Sequence, residues 1–299
     1  MIKKTLYFGN PAYLSLKNNQ LTIDRSEQEQ PIRTIPVEDI GIVLLDHPQI
    51  TITHNLIEAL LENNSALITC DRKHLPVGLL LPLEGNTLQN ERFRHQVEAS
   101  LPLKKQLWQQ TVQYKISNQA SLLTEACKTE TGNMQKWAQD VRSGDPDNLE
   151  ARAAAYYWKN LFRHYPEFTR DKEGDYPNNL LNYGYAILRG TIARALVVSG
   201  LLPTLGIHHS NKYNAYCLAD DIMEPYRPFV DKLVLEIMSK ENEETVLTTA
   251  QKVELLKIPT LDVVINGQKS PLMIAAGMTT ASLAKCFLGE TRKILYPVL

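Results

Sequence analysis

The 299-residue chain has 43% hydrophobic and 22% charged residues, a balance typical of soluble globular proteins, and its length allows two domains. A net charge of −1 favours a metabolic enzyme over a nucleic-acid-binding protein, unless basic side chains gather on one surface or several subunits combine. No apolar run reaches the roughly 18 residues of a membrane helix, and the N-terminus lacks the apolar core of a signal peptide. We therefore expect a cytoplasmic protein without membrane contact.

Residues 1–84 predict a β-rich domain. Short apolar or alternating segments are separated by turn signals, among them the polar run at 26–30, and Thr53 is a candidate N-cap for a helix over His54–Glu62. The predicted strands are Thr5–Phe8, Tyr13–Leu16, Leu21–Asp24, Ile32–Pro36, Ile40–Leu45, Leu67–Cys70 and Val77–Leu81.

Long helices are predicted beyond Pro82–Asn86, which marks the boundary between a domain at 1–84 and a domain at 85–299. We expect an α+β protein whose second domain is all-α and catalytic. Basic residues such as Lys115 form the nearest thing to a positive stripe, but an ordinary solvated helix face is the preferred interpretation. The predicted helices are Leu88–Glu98, Pro102–Cys127, Asn179–Ser199, Phe229–Ser239 and Pro271–Lys293, with an acidic turn at 240–244 and a hairpin turn at Asn266-Gly267.

Glu150 is the first candidate for chemistry. It follows a sharp helix start, where Asp145 or Asp147 can act as N-cap. The alanines that follow allow another helix to approach closely, so we expect Glu150 near a packed interface. The alternative is that Glu150 only favours the positive end of the helix dipole, an effect of about 0.3–1 kcal/mol.

The stretch Gly206–Pro228 combines a histidine pair with acids. Gly206 suits a tight turn that carries His208 and His209, and the helical pattern that follows stops at Pro225.

Asp220 and Asp221 precede Glu224 by four and three residues, which puts all three carboxylates on one side of the predicted helix. Such carboxylates repel one another unless a cation or basic groups neutralise them. With Glu150 and a histidine they suit Mg²⁺ or Mn²⁺, because hard ions favour carboxylates and Mn²⁺ accepts an imidazole. The associated chemistry is attack of water or a sugar hydroxyl on a phosphodiester. A solvated acidic helix face is the alternative.

Three ordered segments carry a family resemblance. The first is 149–157, the second joins 182–185 to 200–203, and the third joins 206–209 to 218–228. In order and spacing they resemble the CRISPR-associated integrase of spacer acquisition, the Cas1 family. The likeness extends over essentially the whole chain, and the run at 209–214 most resembles members from type II systems.

The resemblance implies a role for particular residues. Glu150, His209 and Glu224 match the family's metal ligands and catalytic residues, while His208 leaves open which imidazole binds the metal. The positions expected to support the metal are Asp221, Asp220 and His208, and those expected to contact DNA are Arg227, Lys212 and Asn214. Arg227 can equally pair with Asp221 or Glu224.

The resemblance also implies the activity, which is that of a Mg²⁺- or Mn²⁺-dependent DNA endonuclease and integrase of CRISPR adaptation, an antiviral defence of prokaryotes. A 3′-hydroxyl of a short DNA fragment would attack the backbone of the CRISPR repeat. The implied partners are these two DNAs, a second copy of the chain in a homodimer, and the small Cas2 protein. A stand-alone nuclease for branched DNA and a non-enzymatic helical scaffold are the alternatives.

Overall fold

The computed structural model describes residues 3–25, 30–72, 74–165, 167–172, 174–240 and 247–299. The turns predicted at 26–30 and 240–244 lie largely outside these ranges. Among the described residues, no helix combines the length and apolar character needed to cross a bilayer.

Short strands build the N-terminal part of the chain, as the alternating segments predict. All seven predicted strands are confirmed, with ends that differ by no more than two residues, and a three-residue strand that the pattern did not predict precedes the helix. The elements are β1 Lys4–Phe8, β2 Ala12–Lys17, β3 Gln20–Arg25, β4 Gln30–Pro36, β5 Ile40–Leu45, β6 Ile50–Ile52, α1 His54–Glu62, β7 Ala66–Cys70 and β8 Pro76–Leu80.

These strands form two four-stranded sheets. In the first, with the order β1-β5-β7-β8, the pairs β1–β5 and β5–β7 are parallel and β7–β8 is antiparallel. In the second, with the order β4-β3-β2-β6, only β2–β6 is parallel.

The first sheet is covered on both faces, which explains the unbroken apolar sequence of β5. On one face, Val43 and Leu67 pack with Leu56 of α1 in a small core. On the other face, Ile42 and Ile68 belong to the large core that the helices form. Successive side chains of a strand point to opposite faces, so each of these strands contributes to both cores.

Helices dominate the rest of the chain. They are α2 Gln89–Val97, α3 Leu101–Cys127, α4 Gly132–Asp140, α5 Leu149–Leu161, α6 Asn178–Val198, α7 Cys217–Met223, α8 Arg227–Met238, α9 Thr249–Leu255 and α10 Leu272–Phe287. The structure confirms an α+β protein with a strand-rich N-terminal region and a mainly helical remainder. The boundary at residue 84 stays a prediction.

The expectation that the second part is all-α is wrong. Strands β9 (Asp262–Ile265), β10 (Gln268–Pro271) and β11 (Pro297–Val298) form an antiparallel sheet in the order β10-β9-β11. The hairpin turn at Asn266-Gly267 is confirmed, and both of its residues have positive φ. Helix α10 ends at Phe287 rather than at Lys293, because the chain after it returns to place β11 beside β9.

A buried ion pair joins the first sheet to the helices. The Asp46 carboxylate, just after β5, accepts hydrogen bonds from the Tyr7 hydroxyl at 2.7 Å and from the Lys252 ammonium of α9 at 2.9 Å. His74 Nδ1 lies 2.8 Å from the same carboxylate. The side chains of Asp46 and Lys252 are 0% and 6% exposed, so each charge depends on the other for compensation.

Replacing Lys252 by methionine should therefore destabilise the fold. Lys252→Met leaves the Asp46 carboxylate buried without its cation, and we expect a loss of about 3–5 kcal/mol in the free energy of unfolding, measured by urea denaturation. The double variant Asp46→Asn/Lys252→Met should recover much of this loss. As a control, Lys257→Met breaks an exposed pair with Glu254 and should cost less than about 1 kcal/mol. Equal losses in Lys252→Met and Lys257→Met would contradict the prediction.

Candidate active site

The buried carboxylate of Asp221 holds the histidine turn. Its Oδ2 atom accepts the backbone N–H groups of Ile207 at 2.8 Å and His208 at 2.9 Å, and its Oδ1 atom accepts that of His209 at 3.3 Å. Oδ1 also lies 2.5 Å from the ring Nδ1 of His209. This hydrogen bond raises the pKa of His209, although partial burial opposes the shift. A proton on Nδ1 leaves Nε2 as the atom that can bind a ligand.

Gly206 permits this turn, as the sequence predicts. A Cβ at this position would collide with the carbonyl oxygen of His209 and would lie 2.7 Å from Asp221 Oδ2. Any larger residue would therefore push the turn away from the carboxylate that holds it.

The two neighbouring histidines have different surroundings. The ring of His208 stacks on Trp108 of α3, with centroids 4.1 Å apart and planes 3° from parallel. The ring of His209 meets Trp108 edge-on at 5.5 Å, and 47% of its side chain is exposed. Both histidines are thus exposed, but His208 is stacked on an aromatic side chain, while His209 is oriented by a carboxylate.

Lys115 of α3 lies between the two glutamates that the sequence singles out. Its Nζ atom donates a hydrogen bond to Glu150 Oε1 at 2.6 Å and lies 2.6 Å from Glu224 Oε2. The second contact is an ion pair without hydrogen-bond geometry, since the buried Oε2 atom makes no hydrogen bond. Only 12% of the Lys115 side chain is exposed, so the interpretation of this residue as part of a solvated helix face is wrong.

Glu150 reaches this position from the first turn of α5. The Asp145 carboxylate accepts the backbone N–H groups of Leu149 and Glu150, both at 2.9 Å, although the N-cap residue is Asn148 and not the predicted Asp145 or Asp147. The residue directly before the helix is Asn148, with a φ of 52°, so the chain turns sharply there. Because α5 packs against α3, the expected packed interface at Glu150 is confirmed.

Glu224 reaches the same place from the other side. Helix α7 ends at Met223, next to the predicted stop at Pro225, and a 3₁₀ turn over Glu224–Tyr226 connects it to α8. Arg227 Nε lies 2.9 Å from Glu224 Oε1, and its guanidinium stands 4.6 Å from the Tyr185 ring. Burial acts to raise the pKa of Glu224, but Arg227 and Lys115 together lower it to about 2, so the carboxyl is ionised at neutral pH.

The three acids of this segment do not form one stacked cluster. Asp221 binds the histidine turn, and Glu224 faces the cations just described. Asp220 lies 2.6 Å from Arg189 Nε and accepts a hydrogen bond from the Asn214 amide at 2.7 Å. Each of the three carboxylates therefore has its own partners, which removes the repulsion that their spacing predicts.

Lys212, a predicted DNA contact, is exposed, and its side chain lies over the ring of Tyr213.

The donor atoms suit a hard divalent ion. Glu150 and Glu224 offer carboxylate oxygens, and His209 offers one imidazole nitrogen. The buried Glu224 Oε2 atom makes no hydrogen bond and lies 2.6 Å from the Lys115 ammonium, so this oxygen already faces a cation. In the part of the chain that the structure describes, no three histidine, cysteine, aspartate or glutamate side chains converge closely enough to hold a metal as they stand. The donors fit chemically, and Lys115 lies where the two carboxylates meet.

Comparison with known sequences identifies relatives of this chain. The family model described as CRISPR associated protein Cas1 matches residues 6–257. A protein of Neisseria meningitidis serogroup C (strain 8013), named CRISPR-associated endonuclease Cas1, is 38% identical over 263 residues, which is 86% of this chain and 83% of the relative.

Comparison with solved structures identifies similar folds. A casposase bound to integration product superimposes with a TM-score of 0.77 at 20% sequence identity, over 98% of this chain and 92% of the other. A chain of a Cas6-RT-Cas1–Cas2 complex superimposes with a TM-score of 0.75 at 19% identity, over 97% of this chain and 35% of the other. At these identities the likeness concerns the fold.

The histidine turn provides a test of the site geometry. Because its new Cβ has no space, Gly206→Ala should lower the free energy of unfolding by about 1–3 kcal/mol. The control Gly277→Ala introduces a Cβ into open space inside α10, and a helical alanine should raise stability by about 0.5–1 kcal/mol. Thermal denaturation of both variants measures the difference. A Gly206→Ala variant as stable as the wild type would show that the turn is not constrained as described.

Proposed function

We infer that this chain, which belongs to the Cas1 family of CRISPR-associated proteins, is a metal-dependent DNA endonuclease and integrase of CRISPR adaptation. The family match over residues 6–257 and the 38% identity to a named endonuclease support the activity. The observation that carries the proposal is the meeting of Glu150 and Glu224 around one cation, beside a histidine that a buried carboxylate orients.

Glu150, His209 and Glu224 are the proposed ligands of Mg²⁺ or Mn²⁺ and the proposed catalytic residues. The 2.6 Å contacts of both glutamates with the same ammonium support a shared cation site. The hydrogen bond of His209 Nδ1 to Asp221 supports metal binding through Nε2, because metal-binding histidines commonly use their other ring nitrogen in this way. The stacking of His208 on Trp108 supports a structural role for that residue.

The reaction follows from these assignments. The metal, when bound, stabilises the negative charge that develops on the scissile phosphate. The 3′-hydroxyl of a short DNA fragment attacks a phosphodiester of the repeat, so that one P–O bond forms and another breaks, without a covalent intermediate on the protein. Asp221 keeps His209 in place, and Arg227 keeps Glu224 ionised and oriented.

The DNA contacts are proposed from charge and exposure. Lys212 is exposed and can reach a phosphate directly. Arg227 and Asn214 are engaged with Glu224 and Asp220, so any contact they make with DNA has to compete with these bonds. Asp220 supports the site by holding Asn214.

The proposed partners are short DNA fragments, the CRISPR repeat, a second copy of the chain in a homodimer and the small Cas2 protein, all in the prokaryotic cytoplasm. The fold likeness to a chain of a Cas1–Cas2 complex supports the last of these.

Residues 1–84 would provide dimer and partner contacts, and residues 85–299 would carry the catalysis. The same proposal assigns the chain to a type II system and names Mg²⁺ or Mn²⁺ as its metal. Several subunits would combine their basic surfaces, which suits the net charge of −1.

An integration assay tests the function. Purified protein and its Cas2 partner are incubated with 3′-hydroxyl duplex fragments and supercoiled repeat DNA, with Mn²⁺ or with EDTA. We expect strand joining that EDTA abolishes and that Glu150→Ala or His209→Ala reduces about 100-fold or more, since a metal contributes several kcal/mol to such reactions. Glu125→Ala, which removes an exposed acid from α3, is the control. Cleavage of branched DNA without joining would favour a nuclease, and no metal-dependent product would favour a scaffold.

The same assay separates the two histidines. His208→Ala should retain most of the activity and lose some stability. It removes ring contacts with Trp108 and with the edge of His209, but it keeps the backbone N–H that donates to Asp221. Circular dichroism of the variant checks that it is folded. If folded His208→Ala were as inactive as His209→Ala, the proposed ligand would be wrong or both imidazoles would be required.

A further inference from the structure

The ammonium of Lys115 occupies the point where the carboxylates of Glu150 and Glu224 meet. It donates a hydrogen bond to Glu150 Oε1 and forms an ion pair with Glu224 Oε2, each at 2.6 Å. The side chains of the three residues are 12%, 21% and 8% exposed in that order, so water screens their charges only weakly.

This single positive charge offsets the repulsion between the two acids. Removing it would leave two largely buried carboxylates close together, with Arg227 still paired with Glu224.

A divalent ion held by these glutamates would use oxygen atoms that Lys115 already contacts. Mg²⁺ binds carboxylate oxygens at about 2.0–2.1 Å, which is closer than any hydrogen bond. An ammonium and a divalent ion at the same two oxygens would repel each other strongly in surroundings of low dielectric. The two cations thus exclude one another from this point.

The two basic residues of the site differ in their freedom to move. Arg227 approaches the other oxygen of Glu224, and its guanidinium is held against the ring of Tyr185. Lys115 carries its charge on a flexible four-carbon stem, which can turn while α3 stays in place.

We propose that Lys115 is a positioning residue that holds Glu150 and Glu224 together and competes with the divalent ion for their oxygen atoms. The inference rests on the proposed function, because it concerns the same site. Metal binding then requires the Lys115 ammonium to leave the carboxylates, and the affinity for the metal is lower than the two glutamates would otherwise provide.

Calorimetric titration of the full chain with MnCl₂ tests this competition. Lys115→Met removes the charge and keeps a long apolar stem, and we expect its dissociation constant for Mn²⁺ to fall about ten-fold or more. Lys115→Arg retains a cation and should not bind Mn²⁺ more tightly than the wild type. Lys232→Met, which removes a lysine from the exposed pair with Glu125, should leave the dissociation constant unchanged.

Thermal denaturation provides a second readout. Without added metal, Lys115→Met should melt below the wild type, because its glutamates repel each other. With saturating Mn²⁺ its melting temperature should rise by more than that of the wild type, because the tighter ligand stabilises the folded state more. A residue that only packed the site would show weaker metal binding together with lower stability.

The outcomes distinguish this inference from the function on which it rests. If Lys115→Met binds Mn²⁺ no more tightly than the wild type, and Glu150→Gln abolishes binding, the competition is overturned and the metal site stands. If neither the wild type nor Lys115→Met binds Mn²⁺, both are overturned.

Discussion

The carboxylate of Asp221 is the contact on which the geometry of the site depends. It is fully buried, it accepts the three backbone N–H groups of 207–209, and it orients the ring of His209. Each of these hydrogen bonds contributes only about 1 kcal/mol, but a buried carboxylate that lost them would be strongly destabilising. Asp221 also lies one helical turn before Glu224, so one short helix sets the positions of both the histidine and the second glutamate.

A second constraint is the balance of charge around that helix. Its acids would repel one another if they shared a solvated face, yet each has a separate cationic or N–H partner supplied by a different part of the chain. Arg189 comes from α6, Arg227 from α8 and Lys115 from α3. The helix is therefore stable only when these surrounding helices are in place, and the site is assembled by the tertiary fold rather than by its own sequence segment.

Local rules predicted the parts of the site that depend on local physics. Gly206 at the tight turn and the stop near Pro225 both follow from the backbone preferences of single residue types. Lys115 and Trp108 were not predicted as site residues, because a helix packed on several sides does not reveal from its spacing which neighbour each face meets. The strand pairing of β11 with β9 escaped prediction for the same reason, since its partner lies more than thirty residues away in sequence.

The first sheet has a consequence for how the chain folds. Side chains on one face of β5 and β7 lie in the small N-terminal core, while Ile42, Leu44, Ala66 and Ile68 lie in the core of the helices. An isolated fragment ending at residue 84 would present these four apolar side chains to water and would leave the Asp46 carboxylate without Lys252. The architectural division of the chain is thus not a division into autonomous folding units: the strand-rich region acquires its full cooperativity only after the helices have been synthesised and have docked.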